Sequence, residues 1–366
     1  MFSELTERLA DEVQTIKAAL ATHEAIRGFL FAADDTSSEA ATRARLKGLL
    51  PDVPPLLAWR IYDHCAAFTR LYAVYERFVF DLISRWIQLL PDLYKNYADL
   101  PDAVRVGHRL GIAEILPKLN GDRYGHLSEQ AVVRALYECL AGGPYKLLAD
   151  AFFTDDTNLR HEALGRLCAR IGLVEAWRWL TNHASVQRFL DEVRGNASTA
   201  ESELKTFVSY RNVAAHGTVE EVVAPEEIRH ISDFVFILCA SLAELMMRHT
   251  VARKLELGEA EPIGVVIHRF RDRVVGVEMR KTRIEVGDNL LLLKETFCYP
   301  AVIESLEIEH IRHDVIDADT GLRVGMQLSR GTSVDAELVR ILASKPVPMA
   351  PSDAPADVVL PNITPA

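Results

Sequence analysis

The segment that decides the fold spans residues 207–217, with the sequence Phe-Val-Ser-Tyr-Arg-Asn-Val-Ala-Ala-His-Gly. Leu204, Phe207 and Arg211 fall on one stripe of a helix, because they are spaced three and four positions apart. A guanidinium on the buried face of a helix is costly unless it is paired or faces a ligand. The segment therefore predicts a helix whose arginine has a partner, either a buried carboxylate or something that the protein binds.

Local signals mark both ends of this helix. Ser198 and Glu201 form a capping box, in which the serine oxygen accepts from a backbone N–H three residues on and the glutamate reaches back. The helix is expected to run to about His216, where Gly217 is placed for a left-handed C-terminal cap. A long apolar helix is expected to follow from Pro225, since proline is favoured in the first turn.

The angle between Arg211 and His216 limits what one chain does alone. The two residues are five positions apart, which is about 140° around a helix of about 3.6 residues per turn. One copy therefore does not aim both side chains at one small target, whereas Asn212 shares the face of His216. A second copy related by a two-fold axis would bring both residue types together, because such an interface contains the same patch twice.

Composition and charge set the class of protein. The chain has 366 residues, of which 49% are hydrophobic and 25% charged, with a formal net charge of -11. This is enough apolar residue for a sizeable core and excludes wholesale disorder, and the length favours two domains. The net acidity argues against a protein that coats nucleic acid through bulk electrostatics.

Because no CxxC pair and no signal peptide are visible, we expect a cytoplasmic protein with reduced thiols.

Hydrophobic periodicity divides the chain into a helical part and a β part. Helical spacing continues to about residue 256, and from about residue 258 short aliphatic runs alternate with turn residues, which predicts a small antiparallel β-barrel. The fold class is therefore multidomain α and β, an all-α bundle followed by a barrel. The predicted domains are an N-terminal helical extension (1–56), a helical domain (57–256), the barrel (257–345) and a disordered tail (346–366).

Within the helical part, residues 57–90 form a helix that is rich in aromatic side chains and is predicted to be central to the bundle. Pro91 is expected to end it. Further helical stretches are expected over about residues 102–118, 129–153, 158–181 and 184–193. His108 lies on an amphipathic helix beside charged residues, so we expect it at the surface.

A basic run lies at the start of the predicted barrel. Arg269, Arg271 and Arg273 would face one way if they alternate along one strand, which makes a stripe able to hold a phosphate backbone. Lys281 and Arg283 extend this candidate RNA-binding set. The alternative is a solvated strand face.

The sequence predicts no metal site. His310 and His313 are the histidines whose spacing suggests a metal pair. On a strand, however, a three-residue offset points two side chains to opposite faces.

Two motifs resemble a known family. The segment from Arg211-Asn212 to Ala215-His216-Gly217, at the end of one helix and before a long apolar one, resembles the Arg-x4–6-His signature of the HEPN superfamily. Tyr75-Glu76-Arg77-Phe78 resembles the aromatic-Glu-x-aromatic first core helix of its RiboL-PSP-like clade. The resemblance covers about residues 57–250.

This resemblance implies a metal-independent endoribonuclease that works without a cofactor as a homodimer, with two motifs lining a shared cleft. His216 would assist attack of the ribose 2′-OH on the adjacent phosphate, or protonate the leaving oxygen, and leave a 2′,3′-cyclic phosphate and a 5′-OH. Arg211 would stabilise charge on the phosphoryl oxygens, and Asn212 would orient the histidine or the phosphate. Glu76 is a supporting candidate, and it is equally suited to be the buried structural partner of Arg211.

The predicted barrel carries a second resemblance. Val286-Gly287-Asp288 and the late Gly321-x-x-Val324-Gly325 resemble, in order, the second domain of elongation-factor-Tu-type translation GTPases. The barrel of such factors contacts tRNA or the ribosome, which implies an RNA contact here; a spacer or protein-docking module is the alternative. The sequence contains no GxxxxGK[ST] phosphate-binding loop.

Two functional hypotheses follow. The first is a dimeric HEPN ribonuclease, a toxin or antiviral defence effector whose partners are RNA, a second copy and an antitoxin or defence protein, with no membrane involved. The second is a non-catalytic RNA-binding or protein-interaction module on the same scaffold, and a regulator that senses a ligand is also compatible. The presence of both Arg211 and His216 favours the first hypothesis, while the lack of overall basic character favours the second.

Overall fold

The computed structural model describes residues 2–31, 41, 42, 44–46, 48, 52–154, 158–195, 197–216, 219 and 222–342. The predicted glycine cap at residue 217 and the predicted disordered tail over residues 346–366 lie outside these described residues. The α-helices of the described part are α1 (Ser3–Leu30), α2 (Leu56–Leu93), α3 (Asp102–Ile115), α4 (Glu129–Leu140), α5 (His161–Arg170), α6 (Ala176–Asn182), α7 (Ala184–Arg194), α8 (Ala200–His216) and α9 (Pro225–Glu256).

The aromatic helix α2 is the centre of the helical bundle, as its composition predicts. It packs against α1, α8 and α9, and its buried side chains include Phe68, Tyr72, Tyr75 and Phe78. Helix α1, which lies in the predicted N-terminal extension, buries a stripe of leucine, valine and isoleucine in the same hydrophobic core. The four helices therefore share one core from the first turn of α1 onward.

Three predicted helix boundaries are wrong. Pro91 lies inside the last turn of α2, which continues to Leu93. The helix expected over residues 129–153 ends at Leu140, and the one expected over 158–181 is interrupted after α5, where Gly172 has a positive φ of 88° that a helix does not allow. Local spacing predicts helices but misses a break that depends on one left-handed residue.

The cap of α8 is also displaced by one residue from its predicted position. Thr199 Oγ1, not the oxygen of Ser198, accepts from the backbone N–H of Ser202 at 3.2 Å. Ser202 Oγ in turn accepts from the backbone N–H of Thr199 at 2.9 Å, so a reciprocal capping box exists with serine in place of the predicted Glu201. The start of α8 is therefore fixed as the sequence predicts, by different side chains.

Helix α9 connects the bundle to the rest of the protein. By length and composition it is apolar enough to cross a membrane, but 67% of its most apolar window is buried inside the protein. Its neighbours are the helices α1, α2, α6, α7 and α8 and two barrel strands, β1 (Ala260–Arg269) and β5 (Phe297–Ile308). Burial within the protein accounts for its apolar surface.

The C-terminal part is a closed antiparallel barrel of six strands. The strands that follow β1 are β2 (Val274–Met279), β3 (Thr282–Glu285), β4 (Asn289–Lys294), β5, β6 (Ile311–His313), β7 (Val315–Ala318), β8 (Arg323–Leu328) and β9 (Glu337–Ile341). The order around the barrel is β4, β9, β1, β2, β8 and β5, and β5 pairs again with β4. Strand β6 extends β5 as a hairpin, while β3 and β7 pair with each other.

Bundle and barrel are joined by specific polar contacts. Glu244 of α9 accepts at one carboxylate oxygen from two groups, His183 Nε2 at 2.9 Å and the backbone N–H of Cys298 in β5 at 3.0 Å. Arg248 donates to the carbonyl of Lys294 at 2.6 Å. Barrel side chains also enter the hydrophobic core of the bundle, namely Ala260, Leu293, Cys298 and Val339.

His108 is buried, contrary to the surface position expected from its charged neighbours. Its ring stacks on Phe152, and its Nε2 accepts from the backbone N–H of Leu148 at 3.1 Å. The reason lies in the spacing, because Val104, His108 and Ile112 form the buried stripe of α3. Burial lowers the pKa of His108 to about 4.

This buried histidine predicts acid sensitivity. Between about pH 6.5 and pH 4, His108 is protonated in the unfolded chain but neutral in the folded protein. The free energy of unfolding therefore falls as the pH falls. His108→Gln keeps an acceptor for Leu148 and removes the titration. Between pH 7.5 and 5, urea unfolding should show wild type losing on the order of 1–2 kcal/mol more than the variant. Equal losses would show that His108 does not cause the sensitivity.

A second stability prediction concerns the contact that joins α7, α8 and α9. Arg194 donates to Glu203 at 2.8 Å and to both oxygens of Glu227 at 2.7 Å. Arg194→Met leaves the buried Glu203 carboxylate unpaired and should reduce the unfolding free energy by about 2–4 kcal/mol. The matched control is Arg178→Met, whose pair with Glu175 is exposed, and its expected cost is below about 1 kcal/mol. Similar losses in the two variants would contradict the prediction.

Candidate active site at the end of helix α8

Helix α8 places Arg211 against an aromatic ring of α2. Leu204, Phe207 and Val208 are fully buried on the face that contacts α2, and Arg211 is half-buried on the same face. Its guanidinium carbon lies 4.1 Å from the centre of the Tyr72 ring. A cation over a ring face is held by the ring quadrupole, which partly replaces the water that Arg211 loses.

Two asparagines complete the surroundings of Arg211. Its Nη1 donates to Asn158 Oδ1 and to Asn212 Oδ1, both at 3.0 Å. Asn158 Nδ2 also donates to Asn212 Oδ1 at 3.2 Å, so the two amides are fixed relative to each other. Each partner of Arg211 is neutral.

Glu76 is not the ion-pair partner of Arg211. No salt bridge joins Arg211 to any carboxylate among the described residues. Burial raises the pKa of Tyr72, the hydrogen bond from the backbone N–H of Leu159 lowers it, the charge of the nearby Glu76 carboxylate raises it, and Arg211 lowers it. The positive charge of Arg211 is therefore oriented but not neutralised within this part of the chain.

Backbone contacts fix the position of Asn158. The hydroxyl of Tyr72 accepts from the backbone N–H of Leu159 at 3.0 Å, and the hydroxyl of Tyr75 donates to the carbonyl of Leu159 at 2.9 Å. Both tyrosines are buried in α2. Because Leu159 is held on both sides of its α-carbon, Asn158 is positioned from α2 as well as from α8.

His216 is the last residue of α8 and is exposed to solvent. Its side chain has no hydrogen bond or ion pair with any other residue that the structure describes. Arg211 faces α2, whereas His216 faces outward, which agrees with the angle between them on a helix. A histidine in this position is accessible to a ligand or to a second copy of the chain.

One comparison with known proteins identifies the family of the chain. A family model described as MAE_28990-like HEPN matches residues 2–248. The chain belongs to the HEPN family. HEPN-family domains support nuclease, other RNA-related or sensor functions, and they often carry ribonuclease activity.

The match to the HEPN family is longer than the sequence motifs suggest. It begins at residue 2 and so includes α1, whereas the motifs predict a resemblance over about residues 57–250. No curated protein and no solved structure matched the chain. The resemblance of the barrel to translation factors therefore remains a prediction.

Asn158 and Tyr72 are site residues that the sequence motifs did not indicate. Asn158 lies in a loop before α5, more than fifty positions from Arg211, and no periodicity marks it. Tyr72 belongs to the aromatic face of α2, where any of several rings was equally suited to contact α8. Asn212 accepts from Arg211 and Asn158, and no bond joins it to His216.

The predicted basic stripe of the barrel is not built on one strand. Arg269 ends β1, and Arg271 and Arg273 lie in the loop before β2 because Phe270 N donates to Val274 O and closes a hairpin there. The predicted alternation along one strand is therefore wrong. The contacts of the predicted RNA-binding set are Arg269 with Asp272, Arg273 with Glu304 and Arg283 with Asp317, while Arg271 and Lys281 have no ion pair with a described residue.

The neutral partners of Arg211 predict a small structural role. Arg211→Met removes two hydrogen bonds and the contact with Tyr72 but leaves no buried charge unpaired, since Asn158 and Asn212 still bond to each other. The unfolding free energy should fall by about 1–2 kcal/mol, measured by urea unfolding. A loss of about 3–5 kcal/mol, as for a broken buried ion pair, would instead assign Arg211 to the structural alternative.

Proposed function

We propose that the HEPN protein is a metal-independent endoribonuclease whose active site is built from Arg211 and His216. The observation that carries the proposal is that Arg211 holds an oriented positive charge with no carboxylate partner among the described residues, near an exposed His216 at the end of the same helix. A guanidinium arranged in this way is suited to a phosphate, which accepts two charge-assisted hydrogen bonds.

In this proposal the reaction is an internal transfer at phosphorus. The ribose 2′-oxygen forms a bond to the adjacent phosphorus as the bond to the 5′-oxygen of the next nucleotide breaks. His216 takes the proton of the 2′-OH or gives a proton to the leaving 5′-oxygen. Arg211 stabilises the charge on the non-bridging oxygens, and the products are a 2′,3′-cyclic phosphate and a 5′-OH.

Asn158 and Asn212 are positioning residues in this scheme. Their oxygens hold the guanidinium of Arg211 while its remaining N–H groups stay available to a phosphate. Tyr72 supports the guanidinium from below, so its rotamer is restricted before the substrate binds. Such preorganisation lowers the cost of stabilising charge in the transition state.

The proposed active form is a homodimer. Arg211 and His216 lie on different sides of α8, so two chains around a two-fold axis supply both residue types to one cleft. The exposed end of α8 fits this arrangement, because His216 is free to meet the partner.

We further propose that the protein acts in the cytoplasm as a toxin or antiviral defence effector that a partner protein restrains.

A second candidate function is a non-catalytic RNA-binding or sensor module on the same scaffold. The observation that favours it is that His216 has no hydrogen bond within the described residues that would orient its ring for proton transfer. Catalytic histidines are commonly oriented by a third group. In a dimer, such a group has to come from the partner or from the RNA.

Loss of His216 separates the two candidates. His216→Ala should reduce RNA cleavage by about 100-fold or more, because general acid–base catalysis contributes about this factor. The measurement is the rate of formation of 5′-OH ends on a single-stranded RNA by purified protein in the presence of EDTA. The substitution is at an exposed position, so the unfolding midpoint should not change.

The matched control is His126→Ala, an exposed histidine in the segment between α3 and α4 that should leave cleavage unchanged. Equal cleavage by wild type and His216→Ala would reject the proposed chemistry. RNA binding without cleavage by wild type would favour the non-catalytic candidate.

A further inference from the structure

The outer face of the barrel contains a groove of about 550 Å³ that the proposed active site does not use. It crosses the sheet from the hairpin between β1 and β2, over β8, to β5 and β6. Its side chains include an exposed aromatic ring and several guanidinium groups. Its floor, walls and charges each point to the same kind of ligand.

The floor of the groove is bare backbone. Gly276 of β2 pairs with Gly325 of β8, and both lie on the outward side of strands whose alternate residues fill the barrel. His268 pairs with Gly276 on one side, and Glu307 pairs with Gly325 on the other. The two walls are therefore three strand spacings apart, roughly 14 Å. A flat ligand over the two glycines would therefore rest on backbone, with the side chains of Phe270, His268 and Glu307 at its edges.

Phe270 forms one wall of the groove. Its side chain is 64% exposed, and its ring centre lies 4.4 Å from that of His268, edge to face. The carbon that a side chain at Gly276 would add comes within 3.4 Å of the Phe270 ring, so the ring stands directly beside the bare floor. An exposed ring beside a flat floor is suited to stacking on a nucleobase.

Three guanidinium groups around the groove are unpaired. The side chains of Arg271, Arg312 and Arg323 are exposed and have no hydrogen bond or ion pair with another described residue. Other arginines of the barrel have carboxylate partners, namely Arg269, Arg273, Arg280, Arg283 and Arg340. These three guanidinium groups all line the groove, as do Glu307 and Glu309. Lys281 and Arg330, which also have no carboxylate partner among the described residues, lie outside it.

The spacing of these groups fits a chain of phosphates better than a single one. Arg323 pairs across from Glu278, which is four residues along β2 from Val274 at the hairpin end where Arg271 lies. Four residues of strand measure roughly 13 Å. Backbone positions that far apart allow the two guanidinium groups to hold phosphates of neighbouring nucleotides.

We propose that this groove binds single-stranded RNA, with a base stacked on Phe270 over the glycine floor and phosphates held by Arg271, Arg312 and Arg323. A duplex offers no free base face, so the groove selects unpaired RNA. The proposal rests on the proposed function only for the choice of RNA as ligand. It moves the predicted RNA contact of the barrel from the carboxylate-paired Arg269, Arg273 and Arg283 to the groove.

The test is direct binding in a His216→Ala background, so that cleavage does not interfere. Fluorescence anisotropy with a labelled oligouridylate of about 12 nucleotides should show Phe270→Ala weakening binding by about 5- to 100-fold. Gly325→Leu should have a similar effect, because it fills the floor. It should also fold, since an added Cβ meets only atoms of Glu307, at 3.5 Å. Arg323→Gln should weaken binding and reduce the salt slope by about 1.

Two matched controls lie on the bundle, away from the groove. Val174→Ala removes an exposed apolar side chain, and Arg178→Gln removes an exposed, paired guanidinium. Neither should change the affinity for RNA. Unchanged affinity in both Phe270→Ala and Gly325→Leu would overturn the proposal.

Two further outcomes are decisive. If AMP or UMP displaces the RNA and the groove variants lose as much affinity for the mononucleotide as for the RNA, the site binds a single nucleotide and the proposed strand is wrong. If groove variants weaken binding while wild type does not cleave RNA, the groove is supported and the proposed catalytic function fails. If wild type cleaves RNA while the groove variants bind it as tightly as wild type, the proposed catalytic function is supported and the groove proposal fails.

Discussion

The two hydrogen bonds that hold the backbone of Leu159 determine much of the site. Tyr72 accepts from its N–H and Tyr75 donates to its carbonyl, both from the interior of α2. These bonds set the position of Asn158, whose amide holds the guanidinium of Arg211. Since Tyr72 also stacks beneath that guanidinium, one aromatic helix positions both a loop and a charge. The site on α8 therefore depends on how tightly α2 is packed among α1, α8 and α9.

The same arrangement explains how an arginine is tolerated on a buried helical face. A carboxylate partner would satisfy Arg211 but would also cancel its charge and compete with a phosphate. Two amide oxygens and an aromatic face satisfy part of its hydrogen-bonding and solvation needs and leave its charge in place. In a protein with a net charge of -11, a charge kept in this way is a local feature and not a property of the whole surface.

The sequence predicts the class of fold and the main helices because long apolar stripes have a strong period. The aromatic helix, α8, α9 and the change to a barrel near residue 258 are confirmed. Gly172 interrupts a predicted helix, and Phe270 begins a hairpin. Each of these breaks depends on the backbone conformation at one residue, which the hydrophobic period does not predict. The surface position expected for His108 is wrong, because its spacing from Val104 and Ile112 places it on the buried stripe of α3 despite its charged neighbours. Asn158 is distant in sequence from Arg211, so only the folded chain shows that they meet.

The carboxylate of Glu244 has a consequence for how the protein is divided. One of its oxygens accepts from His183 in the bundle and from the backbone of Cys298 in the barrel, and four barrel side chains complete the core of the bundle. A cut near residue 257 would therefore leave an apolar patch on α9, beside a carboxylate that keeps His183 but loses the backbone N–H of Cys298. Bundle and barrel therefore share polar contacts and apolar core across the boundary that sequence composition places near residue 257.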